Sequence, residues 1–249
     1  MSLSLNKINA VLQLRLKLML SNLSLLFTPI FAIGFVIIMG SLLPNLDGGE
    51  AGAPFSTSGF LLSFGLIFNI AIGGISMSSS PIAEEKEKHT LRVLMTSSVK
   101  GVEYFIGSMI PLLVILVATN ILLIPASGVA FNDIPLPAYL VITTLASLIS
   151  ILIGYIIGTY AKNQAQASLI STPILITLTS IPVLKIFNEN LAEILNYTYG
   201  GVIANLSDAL AADRGYQWNV TDVSVLAAWF IATLGLFIYI YKKNGLDSD

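Results

Sequence analysis

The chain has 249 residues, 55% of them apolar and only 10% charged, with a mean hydropathy of +0.84. Soluble domains carry about 25% charged residues, so twelve basic and fourteen acidic side chains cannot cover a water-soluble globule of this size. The soluble, disordered and disulfide-scaffold classes are excluded, and an integral membrane protein is left. A net charge of −2 argues against a nucleic-acid partner, and zero cysteines exclude thiolate metal sites and cysteine nucleophiles.

The first expected element is an amphipathic helix. Asn6, Asn9, Gln13 and Lys17 recur on one face, with Leu5, Ile8, Leu12, Leu16 and Met19 on the other. That pattern fits a helix lying in the membrane interface. Lys7 and Arg15 fall off the polar face, so they must snorkel or pair with a neighbour. Six apolar stretches then reach the length of about 20 residues that a crossing needs: residues 23–43, 58–79, 104–127, 136–160, 165–184 and 223–241. None contains Lys, Arg, Asp, Glu or His, and none alternates as a barrel strand would. The expected fold is all-α, with residues 1–249 forming a single transmembrane domain.

Ten basic residues fall on one side of these spans: Lys7, Arg15 and Lys17, the loop between spans two and three, Lys162, and Lys242 with Lys243. The other side holds only Lys185 and Arg214, among eight acidic residues. The asymmetry predicts a multi-pass protein of the cell membrane with both termini cytoplasmic. Because the first basic residues are spread over a helical stretch and the first apolar run is long enough to span, no cleavable signal peptide is expected.

Within the spans, Asn69 and Asn120 are the only amides deep in the apolar runs, and each needs a partner from another helix or a wet pathway. Span four carries a small residue at every fourth position, Ala146, Ser150, Gly154 and Gly158, which suits close packing inside the subunit or at a dimer seam. Proton-coupled carriers need ionisable groups at membrane depth, and the spans offer none. His89 is the only histidine, so neither a metalloprotease site nor a Ser/His pair at membrane depth is available. No G-x-x-x-x-G-K-[ST] phosphate loop occurs. The expectation is therefore no catalytic residue, no metal site and no cofactor on this chain, with any energy for transport supplied by another polypeptide.

The loop after span two reads Pro81-Ile-Ala-Glu-Glu-Lys-Glu-Lys-His-Thr-Leu-Arg-Val-Leu-Met95. Pro81 suits a helix first turn, which would set Glu84, Glu85 and Glu87 near its positive end. Leu91, Leu94 and Met95 then give an apolar patch at helical spacing. Such a helix suits docking onto a soluble partner, while the plainer reading is a solvated loop that enforces topology.

This loop resembles the cytoplasmic signature of ABC transporter permeases of the type-2 export class, which runs roughly E-x-E-x-G-T-L-E-x-L-L. Glu85, Glu87, Thr90, Leu91, Leu94 and Met95 fall on it; His89 stands where the family usually has Gly, and Arg92 where it often has Glu. The resemblance implies a coupling helix, Glu84 to Met95, seated in a cleft of a separate ATPase. It also implies an N-terminal connecting helix, partly in touch with that ATPase, and an outer re-entrant pair before the last span. The segment from Ile186 to Ala212, interrupted by Gly200-Gly201, would be that pair, the plainer reading being an ordinary surface helix.

The implied assembly pairs this chain with a second permease subunit, identical or related, both embedded in the lipid bilayer, above two separate ABC ATPase subunits holding ATP and Mg. The implied function is ATP-driven export of an amphiphilic substrate, with a peptide, bacteriocin or drug-like compound ranked ahead of a lipid-linked glycan. The rivals are a non-transporting structural membrane protein and a passive channel. A channel needs a polar face on at least one span, and the spans show only scattered Ser and Thr.

Overall fold

Backbone groups in hydrocarbon must be satisfied within their own segment, which favours helices throughout. The computed structural model describes residues 4–21, 23–43, 56–90, 100–131, 134–211, 216–217 and 219–244, and contains no strand among them. In chain order the helices are α1 (Leu5–Ser21), α2 (Leu23–Leu42), α3 (Thr57–Ile67), a π-helical stretch (Phe68–Gly73) and α4 (Gly74–Glu87). There follow α5 (Gly101–Ala126), α6 (Leu136–Tyr160), α7 (Gln164–Thr179), α8 (Ile181–Phe187), α9 (Glu189–Leu195), α10 (Tyr199–Ala211) and α11 (Val220–Asn244). Among the described residues, four runs are long and apolar enough to cross a membrane: Thr57–Glu87, Gly101–Ala126, Leu136–Tyr160 and Val220–Lys243. The number rises to six if α1 with α2, and α7 with α8, each count as one bent span. The large side chains left exposed on the outer helices are apolar, among them Phe27, Val114, Leu169, Ile176 and Ile231. Such a surface belongs in lipid.

Two expectations are corrected. The charged segment after span two does not open a separate helix at Pro81; Thr57–Glu87 is one helical run of 31 residues with Pro81 inside it. The Ser-Ser-Ser-Pro sequence reads as a break, yet the helix holds. The Ser78 hydroxyl donates back to the Gly74 carbonyl at 2.6 Å, and α4 is packed along α6. Glu84, Glu85 and Glu87 therefore sit at the negative end of a helix, where the dipole disfavours them and outside partners are needed.

Span five carries a 40° bend where α7 meets α8. There the Ser180 hydroxyl takes the Ile176 carbonyl at 2.7 Å and Pro182 opens α8.

The outer segment, expected as two helices broken at Gly200-Gly201, forms three short ones. Its breaks fall at Asn188 and after Leu195, and the glycines lie in the first turn of α10. They are needed for close approach: a Cβ on Gly201 would lie 1.9 Å from the Leu195 carbonyl oxygen, and one on Gly200 would lie 2.6 Å from Ile181 Cδ1. One face of α10, including Val202, Leu206 and Leu210, is buried.

The tightest seam in the bundle joins α4 to α6. A Cβ on Gly154 would lie 1.8 Å from Ser78 Oγ and 2.5 Å from the Ile75 carbonyl, and one on Gly158 would lie 2.8 Å from the Ser79 carbonyl. On the facing side a Cβ on Gly74 would lie 2.6 Å from Ser150 Cβ. The small-residue stripe of span four is thus spent inside the subunit, where it lets two backbones touch. This seam places the end of α4 beside the end of α6 and the start of α7, which fixes the charged end of the bundle.

Candidate functional site at the charged end

The site begins with a misfit in α1. Asn6, Asn9, Gln13 and Lys17 are exposed, while the buried stripe is Val11, Arg15 and Met19. The expected apolar face is displaced: Leu5 is 80% exposed and Leu16 is 40% exposed. Gly107 on α5 explains the roll, because its missing side chain lets Ile8 and Val11 come against the α5 backbone. Once Val11 seats there, Arg15 one turn on must point into the bundle.

All three nitrogens of the buried guanidinium are engaged. Arg15 Nη1 lies 2.8 Å from Glu85 Oε1, with the two side chains 10% and 17% exposed. Arg15 Nε donates to Ser108 Oγ at 3.1 Å, and Nη2 donates to the Tyr104 hydroxyl. The Tyr104 hydroxyl in turn donates to Glu85 Oε2, which closes a triangle. The Tyr104 ring also faces the guanidinium, 5.1 Å from its centroid. A lone buried cation would be very costly, whereas one with a carboxylate and two hydroxyl partners is held in a single geometry. Three helices, α1, α4 and α5, are joined at this point.

The neighbours of Glu85 make the same kind of tie. Lys86 Nζ donates to the Thr159 carbonyl at the end of α6, at 2.6 Å. The Gln164 backbone N–H, at the start of α7, donates to Glu87 Oε2 at 3.2 Å. A carboxylate is well placed at a helix N-terminus, so Glu87 offsets there what it costs at the end of α4. Glu84 pairs with Lys88 at 2.6 Å on the surface. On the far side of α5, Glu103 accepts from the Ser4 and Lys100 backbone N–H groups, each at 2.9 Å, and pins the start of α1.

At the exit of α4, His89 has a φ of 57°. That left-handed conformation ends helices and favours glycine, the residue the type-2 pattern has at this position. Thr90 follows, its hydroxyl donating to the Glu85 carbonyl at 3.2 Å. Leu91, Leu94 and Met95 lie outside the described residues.

Deeper in the bundle the two amides meet. Asn69, in the π-helical stretch, donates to Asn120 Oδ1 at 2.9 Å and to the Leu116 carbonyl at 3.1 Å. Asn120 donates to Ser147 Oγ at 3.4 Å, and the Tyr139 hydroxyl donates to the Asn120 carbonyl at 2.6 Å. Both amides are fully buried, and Asn69 Oδ1 has no partner. They bind helix to helix, with Gly154 and Gly158 on the separate α4–α6 seam.

Sequence reasoning missed Tyr104, Ser108 and Gln164. The usable signal was Arg15 itself, a cation off the polar face of its helix, close in the chain to no acid that could answer it.

Among known protein families, the one described as ABC-2 family transporter protein matches residues 50–199, which run from before α3 into the first turn of α10. No curated protein matches the chain.

Proposed function

The chain belongs to the ABC-2 transporter family, and we propose that it is the permease subunit of an ATP-driven exporter of amphiphilic molecules. Members of this family are the membrane component of an ABC transporter and not its ATPase, so ABC ATPase partners are implied. In the proposed assembly two permease subunits, identical or related, stand on two ATPase subunits that hold ATP and Mg. Both termini of each permease face the cytoplasm, as the basic asymmetry requires.

The observation that carries the reading is the triangle of Arg15, Glu85 and Tyr104. The loop that leaves α4 is the proposed coupling element, with His89, Thr90, Leu91, Leu94 and Met95 meeting the ATPase. Glu84, Glu85 and Glu87 support it from behind. A push on that loop reaches α1 and α5 through Arg15, α6 through Lys86, and α7 through Glu87. Packed helices with polar ties shift as units rather than deform, which is what a mechanically driven gate needs. The buried amides favour this over a passive channel, since they bond helix to helix, Asn69 to Asn120 and Asn120 to Ser147, in the packed interior.

The cargo ranking is unchanged: a peptide, bacteriocin or drug-like compound before a lipid-linked glycan. The test is to purify the chain from native membranes. A soluble ATPase should come with it, and ATP-dependent movement of an amphiphile should require both. A permease that moves its cargo at the same rate without ATP or partner would refute the proposal.

A further inference from the structure

Between α1, α2, α4 and α5 lies a cavity of about 820 Å³. Packed interiors leave few voids larger than a water molecule, and volumes of this size are those of ligand sites. Its lining changes character along α4, from Ser76 to Lys88, a rise of about 18 Å at 1.5 Å per residue. The deeper part is walled by Met19, Met77 and Leu112, and the charged end by Arg15, Glu84, Glu85 and Lys88. Leu14 and Leu18 line it too and are 45% and 44% exposed, so it opens along the apolar side of α1. In a chain that spans a bilayer, that opening faces lipid at headgroup depth.

We propose that this cavity holds a resident zwitterionic phospholipid carrying a primary ammonium, its head among the four charges and its chains along the methionines. The balance of charge selects the head: two cations and two carboxylates suit a phosphate and an ammonium together. The four charges are already joined as the Arg15–Glu85 and Glu84–Lys88 pairs, so an anionic head would add a negative charge with no cation of its own beside it, whereas a zwitterion adds none. A primary ammonium can donate hydrogen bonds to those carboxylates, whereas a quaternary one has no N–H to give. The inference needs only that the chain crosses a membrane, so it stands or falls apart from export.

The test uses the full chain reconstituted in nanodiscs of equal phosphatidylethanolamine, phosphatidylcholine and phosphatidylglycerol, without ATP, followed by extraction into mild detergent. Lipid retained per subunit is counted by mass spectrometry. Phosphatidylethanolamine should be retained about tenfold over the other two, as one charge-assisted hydrogen bond can provide. In the double variant Glu84→Gln/Lys88→Gln, whose exposed side chains carry no packing, its preference over phosphatidylcholine should vanish. Thr28→Trp, which fills the cavity from α2, should lower total retention. Three results would overturn the assignment: equal retention of all three lipids, preference for phosphatidylglycerol, or retention unchanged in both variants. Full displacement by soluble glycerophosphoethanolamine would do so as well, because it would mean that the chains contribute nothing and the occupant is not a lipid.

Discussion

Removing the Glu85 carboxylate should be among the most damaging single changes at the charged end. Glu85→Gln leaves the Arg15 guanidinium in place, 8% exposed, with only Ser108 and Tyr104 as partners. Breaking a buried ion pair from one side costs about 3–5 kcal/mol. Glu85 keeps some access to water, its side chain being 17% exposed, so about 3 kcal/mol is the appropriate end of that range. Arg15→Met should cost less, about 2 kcal/mol, because the carboxylate left behind is the better hydrated partner and keeps its Tyr104 bond. With both changes together neither charge is stranded, and the loss should fall well below the sum, giving a coupling energy of about 2 kcal/mol. The assay is a double-mutant cycle on thermal unfolding of the purified chain in one detergent, run at low and high salt. Burial makes the coupling nearly independent of salt, since screening acts weakly on buried pairs. Glu84→Gln on the exposed Glu84–Lys88 pair should be close to silent and salt-sensitive. A coupling energy below about 0.5 kcal/mol, the level of an exposed pair, would show that the triangle does not hold these helices together.

Other sites give sharp contrasts. Gly154→Ala forces a methyl to within 1.8 Å of Ser78 Oγ and 2.5 Å of a backbone carbonyl, and overpacking of this kind should lower stability by about 1–3 kcal/mol. Gly235→Ala, in mid-helix with nothing within 4 Å of the new Cβ, should instead raise stability by about 0.5–1 kcal/mol in the same thermal assay. Asn120→Leu should cost more than Asn69→Leu, because Asn69 Oδ1 is already unpartnered whereas Asn120 both accepts and donates. Hydrogen bonds between membrane helices reach at most about 1.7 kcal/mol, so the first should lose no more than about that much per bond and the double variant little more. His89→Gly relieves a left-handed non-glycine residue, a strain of about 1–3 kcal/mol. It gives back about 0.5–1 kcal/mol in chain entropy, and the net should be a small rise in unfolding temperature.

The parts of this fold that are legible in the sequence are those set by local pattern. Residues 136–160 bound α6 as expected, since a long apolar run between Pro135 and the Ala161 turn admits one answer. Asn6, Asn9, Gln13 and Lys17 are exposed as the period of α1 predicts. The errors come where tertiary contact overrides a local cue. Pro81 and the serines before it are helix-breaking by propensity, but packing against Gly154 and Gly158 and the serine back-bond hold α4 straight through them. Gly200-Gly201 looks like a hinge and is instead a contact surface. The charged-end triangle was half visible. Arg15 announced that it needed a partner, but Tyr104 and Ser108 lie 89 and 93 residues away, and no periodicity joins such distant positions.

In the proposed assembly the loop leaving α4 seats on a separate ATPase and drives the bundle through it. Replacing Leu91 and Leu94 together with Asp puts two charges into that seat while leaving every span and every tie of the charged end untouched. Breaking a charge pair at an interface costs about 2–5 kcal/mol, and two unpaired buried carboxylates should cost no less. The measurement is co-purification of the ATPase with this variant, set against its abundance in the membrane. Normal abundance is expected, with the ATPase and ATP-dependent transport both lost; full ATPase binding and transport by the variant would show that this loop is not the seat.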